Sequence, residues 1–187
     1  MINPATLAIE TSLNVGFAGA GYVTPDGKFV FVRGTDTQSD LTRVTGKLTV
    51  INVADNIFTT NDLPDTHIGD LAFTSDGKKL YIPSAATGNA AQKASQRSNV
   101  VLVFDVSALP ALPPPTEITV GATAAGRTIG LHEHDGKAEH LFATNRLDGT
   151  VSVIDVETDS VVDTLQVGGT PTSLLVFAME GDLSHSH

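Results

Sequence analysis

The sequence contains no cysteine and no tryptophan. The first absence excludes disulfides, thiolate metal sites and cysteine nucleophiles. The second, with aromatics at 5%, leaves little from which to build a sugar-stacking platform. Basic residues are also scarce: 11 Lys and Arg stand against 21 Asp and Glu, for a formal charge of -10 and a pI of about 4.8. That balance disfavours nucleic acid or an anionic membrane surface as partner, since both are polyanions. It is compatible with cation binding. No apolar run approaches the roughly 20 residues of a bilayer-crossing helix, so no membrane insertion is expected. The opening Met1-Ile-Asn-Pro shows no basic stretch leading into an apolar one, and no signal peptide is expected in the chain as given. There is no Gly-Lys-Ser/Thr phosphate loop, no Gly-x-Ser-x-Gly elbow and no His-Glu-x-x-His. The glycines of 16–21 are followed by no helical pattern, so no nucleotide, flavin or haem is expected.

What remains is 187 residues, 41% hydrophobic and only 17% charged, which is one folded domain's worth of chain. Self-similarity is its main signal. Asp-Gly-Lys recurs at Asp26-Gly27-Lys28, Asp76-Gly77-Lys78 and Asp135-Gly136-Lys137. Between alternating apolar runs, Asp-Gly marks a hairpin, because glycine accepts the positive φ of a tight turn. Each turn is followed by an aromatic-containing strand (Val30-Phe31-Val32, Leu80-Tyr81-Ile82, Leu141-Phe142-Ala143). A second apolar run comes next: 48–53, 101–106 and 151–156. A polar marker in that run falls at Asn3, Asn52, Asp105 and Asp155, at intervals of about 50 residues. Four short strands per period and almost no helical periodicity predict an all-β chain of four-stranded antiparallel propeller blades.

These residues also resemble the YVTN-type β-propeller repeat proteins. The best copy is Phe142-Ala143-Thr144-Asn145, then Thr150 to Asp155, then Gln166-Val167-Gly168 and Thr170-Pro171. The other copies drift, to Phe31-Val32-Arg33-Gly34 and Tyr81-Ile82-Pro83-Ser84. The resemblance implies a periplasmic, cell-surface or extracellular setting, and an architecture shared with lactonase-like propellers. The expected division is residues 1–16 as the end of a preceding blade, with Leu7 to Val15 as its last strand. Whole blades follow over 17–64, 65–121 and 122–169. Residues 170–187 then supply a lone first strand, Thr172 to Met179, and a His-containing tail. Three blades are fewer than the four to eight of a closed ring. The chain is therefore a piece of a longer propeller, a homodimer pairing head to tail to complete the ring, or a minimal four-bladed ring with a defective blade.

Two places carry candidate chemistry. On one side of a turn lies His132-Glu133-His134-Asp135, and on the other Glu139-His140. Residues two apart on a strand face the same way, so His132 and His134 project together and His140 meets them across the ladder. Imidazoles and carboxylates suit Zn or Cu, and the tail adds His185 and His187. The same polar residues also serve simply to solvate an exposed hairpin. The second place is the opposite rim, where connectors and loops bring Asp65, His67 and Asp70 towards Arg33, Asp36 and Asp40, and towards Arg127, Asn145, Arg146 and Asp148. Acidic groups around a His and an Asn could hold Ca²⁺ or another hard divalent cation, and such a metal could activate water for lactone or phosphoester hydrolysis. The expected catalytic candidates are His67, Asp70, Asn145 and Arg146; the expected metal ligands are His132, His134, His140 and Asp36. Loop Asp and Asn are also ordinary turn formers. The expectation is thus a non-catalytic module that binds a protein partner or small molecule through its loop face. A metal-dependent hydrolase and a transition-metal-binding module are the alternatives. The loops 34–46 and 84–99 are expected to cap that face, and Ala108 to Pro115 to form a stiff Pro-rich spacer.

Overall fold

The hairpin turns set the architecture. In the first two, the Thr hydroxyl donates to the Asp carboxylate at 2.7 Å (Thr24 to Asp26, Thr74 to Asp76). The same carboxylate accepts the backbone N–H of Lys28 and of Lys78, and Gly27 and Gly77 take the positive φ. The third turn is tighter. Asp135 and Gly136 both have positive φ, 51° and 72°, the signature of a two-residue type I′ connection.

The computed structural model describes residues 5–9, 11–17, 19–37, 44–86, 94–122 and 126–177. Thirteen strands are present among them: β1 Gly21–Val23, β2 Phe29–Thr37, β3 Val44–Asn52, β4 Phe58–Pro64, β5 His67–Ile68, β6 Ala72–Phe73, β7 Lys79–Ala85, β8 Val100–Asp105, β9 Thr116–Thr119, β10 Ile129–His134, β11 Lys137–Asn145, β12 Thr150–Asp155 and β13 Ser160–Gln166. They form three antiparallel sheets, ordered β1-β2-β3-β4, β5/β6-β7-β8-β9 and β10-β11-β12-β13. The described residues contain no helix. The chain is therefore all-β, built from consecutive four-stranded sheets.

The sheets stack face to face, and the second is sandwiched. Its residues alternate between two cores. Leu80, Ile82, Leu102 and Phe104 join Phe31, Leu48 and Val50 of the first sheet. Tyr81, Val101 and Val103 join Leu141, Ala143 and Ile154 of the third. A strand covered on both sides is apolar at every position, which is why 100–104 reads Val-Val-Leu-Val-Phe. The polar markers at the ends of β3, β8 and β12 have a structural task. Asn52, Asp105 and Asp155 each accept a backbone N–H two or three residues on, from Ala54, Ser107 and Thr158.

Four expectations are corrected. The described residues of Leu7 to Val15 form no strand: within 5–9 and 11–17 there is one isolated bridging residue, and Leu7 and Ile9 are exposed. Residues 172–177 likewise form no strand, although Leu174 and Val176 pack over Gly130 while Leu175 stays 81% exposed. Of the loop expected over 34–46, residues 34–37 and 44–46 are ladder, and 38–43 lie outside the described residues. Gly34 pairs with Lys47 and Thr37 with Val44, so Thr- and Val-rich segments that read as loop extend the hairpin. The Pro-rich segment is no free spacer, since Leu109 and Leu112 pack on the first core.

Candidate functional site

The first strand of the middle sheet is broken, and the break builds the site. β5 pairs through Ile68 with Ser84, and β6 through Ala72 with Tyr81. The ladder opens opposite Pro83, which has no N–H to give. Gly69 closes on the Pro83 carbonyl at 2.9 Å, and Asp70 turns its N–H to the carbonyl of Arg127 at 2.7 Å. A Cβ on Gly69 would stand 2.5 Å from that same Arg127 oxygen, so the close approach needs glycine.

Asp70 is thereby held where three sheets converge. Arg33 of β2 spreads its guanidinium over three acceptors: the Tyr22 hydroxyl at 3.1 Å, the Ile68 carbonyl at 3.1 Å and Asp70 Oδ1 at 2.8 Å. Tyr22 donates its own proton to the same Oδ1 at 3.2 Å. From the third sheet's side, Arg127 Nη2 stands 3.1 Å and 3.0 Å from the two ring nitrogens of His67. Burial first, then the charges of Arg127 and Arg33, push the His67 imidazole down to about 4, so it is neutral at pH 7 and accepts from Arg127. The Arg127 guanidinium is itself pushed down by burial and by Arg33 and Arg146. Asp70 acts on it favourably, but the Asp70 carboxylate is already engaged by Arg33 and Tyr22. Of these guanidiniums, that of Arg33 alone hydrogen-bonds the Asp70 carboxylate, while Arg127 feels the charges of Arg33, Arg146 and Asp70, a cationic spot in an acidic chain.

The other expected residues of this rim do not converge as acids. Asp36 is exposed on β2, paired with Thr45. The Asp65 carbonyl accepts the N–H of Arg97, and Asp148 Oδ2 accepts that of Ala122 at 2.7 Å. Asp40 lies outside the described residues. Asn145, expected to be catalytic, is 0% exposed. Its amide donates to Thr150 Oγ1 and Ser152 Oγ, tying β11 to β12. Arg146 beside it is exposed. Tyr22 was not foreseen: it lies in a glycine-rich stretch, and nothing in the sequence pairs it with Asp70.

At the opposite end, the turn cluster is rearranged. His132 faces His140 across the β10–β11 ladder, as expected, with ring centroids 6.4 Å apart. His134 does not join them; it pairs with Lys137, is exposed, and has Asp135 at 3.9 Å. Glu139 takes its place. The ladder slips between His132 and Glu133, leaving Glu139 unopposed. One ligand atom each from His132, Glu139 and His140 then falls within 4.8 Å of the others. Asp36 is not part of this group. His185 and His187 lie outside the described residues.

The sequence matches no protein-family profile and no curated protein. Among solved structures, it is similar to Kuenenia stuttgartiensis hydrazine synthase, with a TM-score of 0.57 and 16% identity over 81% of this chain and 50% of that one. It also matches dihydro-heme d1 dehydrogenase NirN in complex with DHE, with a TM-score of 0.38 and 15% identity over 82% of this chain and 38% of that one. The chain thus spans about half the length of the hydrazine synthase chain. The first likeness extends to fold alone and places the chain among propeller-like all-β proteins.

Proposed function

We propose that the chain is a run of YVTN-type propeller blades that binds a small anion, or an anionic group on a partner, at the rim where its sheets converge, without catalysing a reaction. The observation that carries this is Arg127, which lies within electrostatic reach of Arg33 and Arg146 while its favourable neighbour Asp70 is already hydrogen-bonded by Arg33 and Tyr22. Arginine's planar fork suits carboxylate and phosphate alike. Arg33 gives one hydrogen bond from each of its three nitrogens to protein acceptors and acts as a strut. Arg127 contacts a neutral imidazole and, with exposed Arg146, is the group available to a ligand. Neutral His67 adds a polar contact without repelling the Arg127 charge.

A hydrolase using a divalent cation held by Asp70, His67 and Asn145 has less behind it. Arg33 already holds the Asp70 carboxylate, Arg127 stands against both ring nitrogens of His67, and the Asn145 side chain, fully buried, donates its NH2 within the third sheet and leaves only Oδ1 without a partner.

Calorimetric titration with inorganic phosphate and with succinate tests the proposal and separates the two anion classes. Wild type should bind at least one of them, and an Arg127→Ala/Arg146→Ala variant should bind it at least tenfold more weakly with an unchanged circular dichroism spectrum. Equal binding by the double variant, or no binding of either anion at millimolar concentration, overturns it.

A further inference from the structure

We infer that the third sheet carries a transition-metal site made by His132, Glu139 and His140, independent of the anion-binding rim. The argument begins with the ladder slip. In an unbroken strand, consecutive side chains alternate faces, and Glu139 would point away from His140. A bulge places two residues opposite one and re-aims side chains. Here Glu139 and His140 share the position opposite His132, so three donors of the right chemistry gather on one face. His132 Nδ1 lies 3.8 Å from Glu139 Oε2. In a tetrahedral zinc site with bonds of about 2.1 Å, neighbouring donors are about 3.4 Å apart. Side-chain rotations of about an ångström bring the trio to that spacing.

The location fits a retained ion. All three residues are half-buried, and the hairpin that carries them is held at its turn. Ser75 of the second sheet donates its N–H to Glu133 and its hydroxyl to the Gly136 carbonyl. That bond turns Glu133 towards the second sheet and leaves His132 on the opposite face. Asp155, directly across from His140, has Oδ1 committed to Thr158. The protein therefore offers three ligands, two imidazoles and a carboxylate, with a fourth position for water. That donor set is one zinc accepts with an open position, and Cu²⁺ competes for it with higher intrinsic affinity.

The test uses the full chain carrying His185→Asn and His187→Asn, so that tail histidines cannot bind the metal. Zn²⁺ is titrated by calorimetry, and Co²⁺ is added as a spectroscopic probe. One Zn²⁺ per chain is expected, together with the intense visible absorption of tetrahedral Co²⁺. Affinity should fall at least tenfold in His132→Ala/His140→Ala and clearly in Glu139→Gln, whose volume is unchanged. His134→Ala should bind like its parent. Loss of binding on removal of the tail histidines alone, undiminished affinity in both ligand variants, or dependence on His134 overturns the inference. Should the double alanine variant fail to fold, Glu139→Gln and the Co²⁺ spectrum decide between the two outcomes.

Discussion

At the scale of single residues, the clearest consequence concerns acid. His67 is neutral in the folded protein, with its imidazole pushed down to about 4, whereas an unfolded histidine titrates near 6.5. Between those values the unfolded chain binds the extra proton, so stability must fall as pH drops from about 6.5 to about 4. Urea midpoints measured across that range should decline, and the decline should flatten in His67→Gln. The turn carboxylates act in a separate window. Thr24 and the Lys28 N–H hold Asp26 down at about 2, so its contribution is present above pH 4 and disappears only towards pH 2. An unchanged slope in His67→Gln would show that the imidazole is not neutral in the fold. His67, Asp70 and Arg33 were legible as rim residues because repeat phase alone puts connectors there. Their partnership was not, because it depends on Pro83 opening the ladder. Nor was Glu139, since a one-residue slip leaves no trace in an alternating pattern. Asn145 misled for the opposite reason: a polar residue at a strand end looks available, and this one is fully buried.

At the scale of elements, each pair of neighbouring sheets is joined by polar ties as well as apolar packing. Arg33 links the first to the second. Between the second and third, the Tyr81 hydroxyl donates to Asp159 Oδ1 at 2.6 Å, and Lys79 Nζ lies 2.8 Å from Oδ2. Burial, then Asp159, pushes the Tyr81 phenol well above its ordinary range, so it is a permanent donor. Tyr81→Phe should lower stability by about 1–2 kcal/mol, read from the urea midpoint with an unchanged m-value. A loss below a few tenths would mean that Asp159 finds water instead. Gly69→Ala meets backbone on one side and Pro83 on the other and should cost about 1–3 kcal/mol. It should also weaken anion binding by displacing Arg127. The strands themselves were legible wherever turn chemistry bounded them. They failed at the described residues of the two ends, within 7–15 and 172–177, because apolar alternation predicts a strand only when a neighbour offers the other half of the ladder.

For the whole molecule, the outer faces of the first and third sheets bear on assembly. Val23 is 61% exposed on one and Leu165 41% on the other. A ring reading assigns both faces to a second copy, the first sheet of each against the third sheet of its neighbour, in a heterologous contact that closes. Two copies supply six whole sheets, inside the range of closed propellers. Native mass spectrometry should give a dimer that Leu165→Asp converts to monomer; a monomeric wild type rejects the assignment. The sandwiched middle sheet has a different consequence. In a row of sheets that touch only their neighbours, fraying starts at the ends. Amide exchange should therefore be slowest along β7 and β8. A molecule that has shed one outer sheet still holds its centre, and displays half of an uninterrupted Val-Val-Leu-Val-Phe strand to solvent. Such a species is folded enough to persist and apolar enough to self-associate. Aggregation of this protein under mild stress should begin from that partly opened state, before global unfolding.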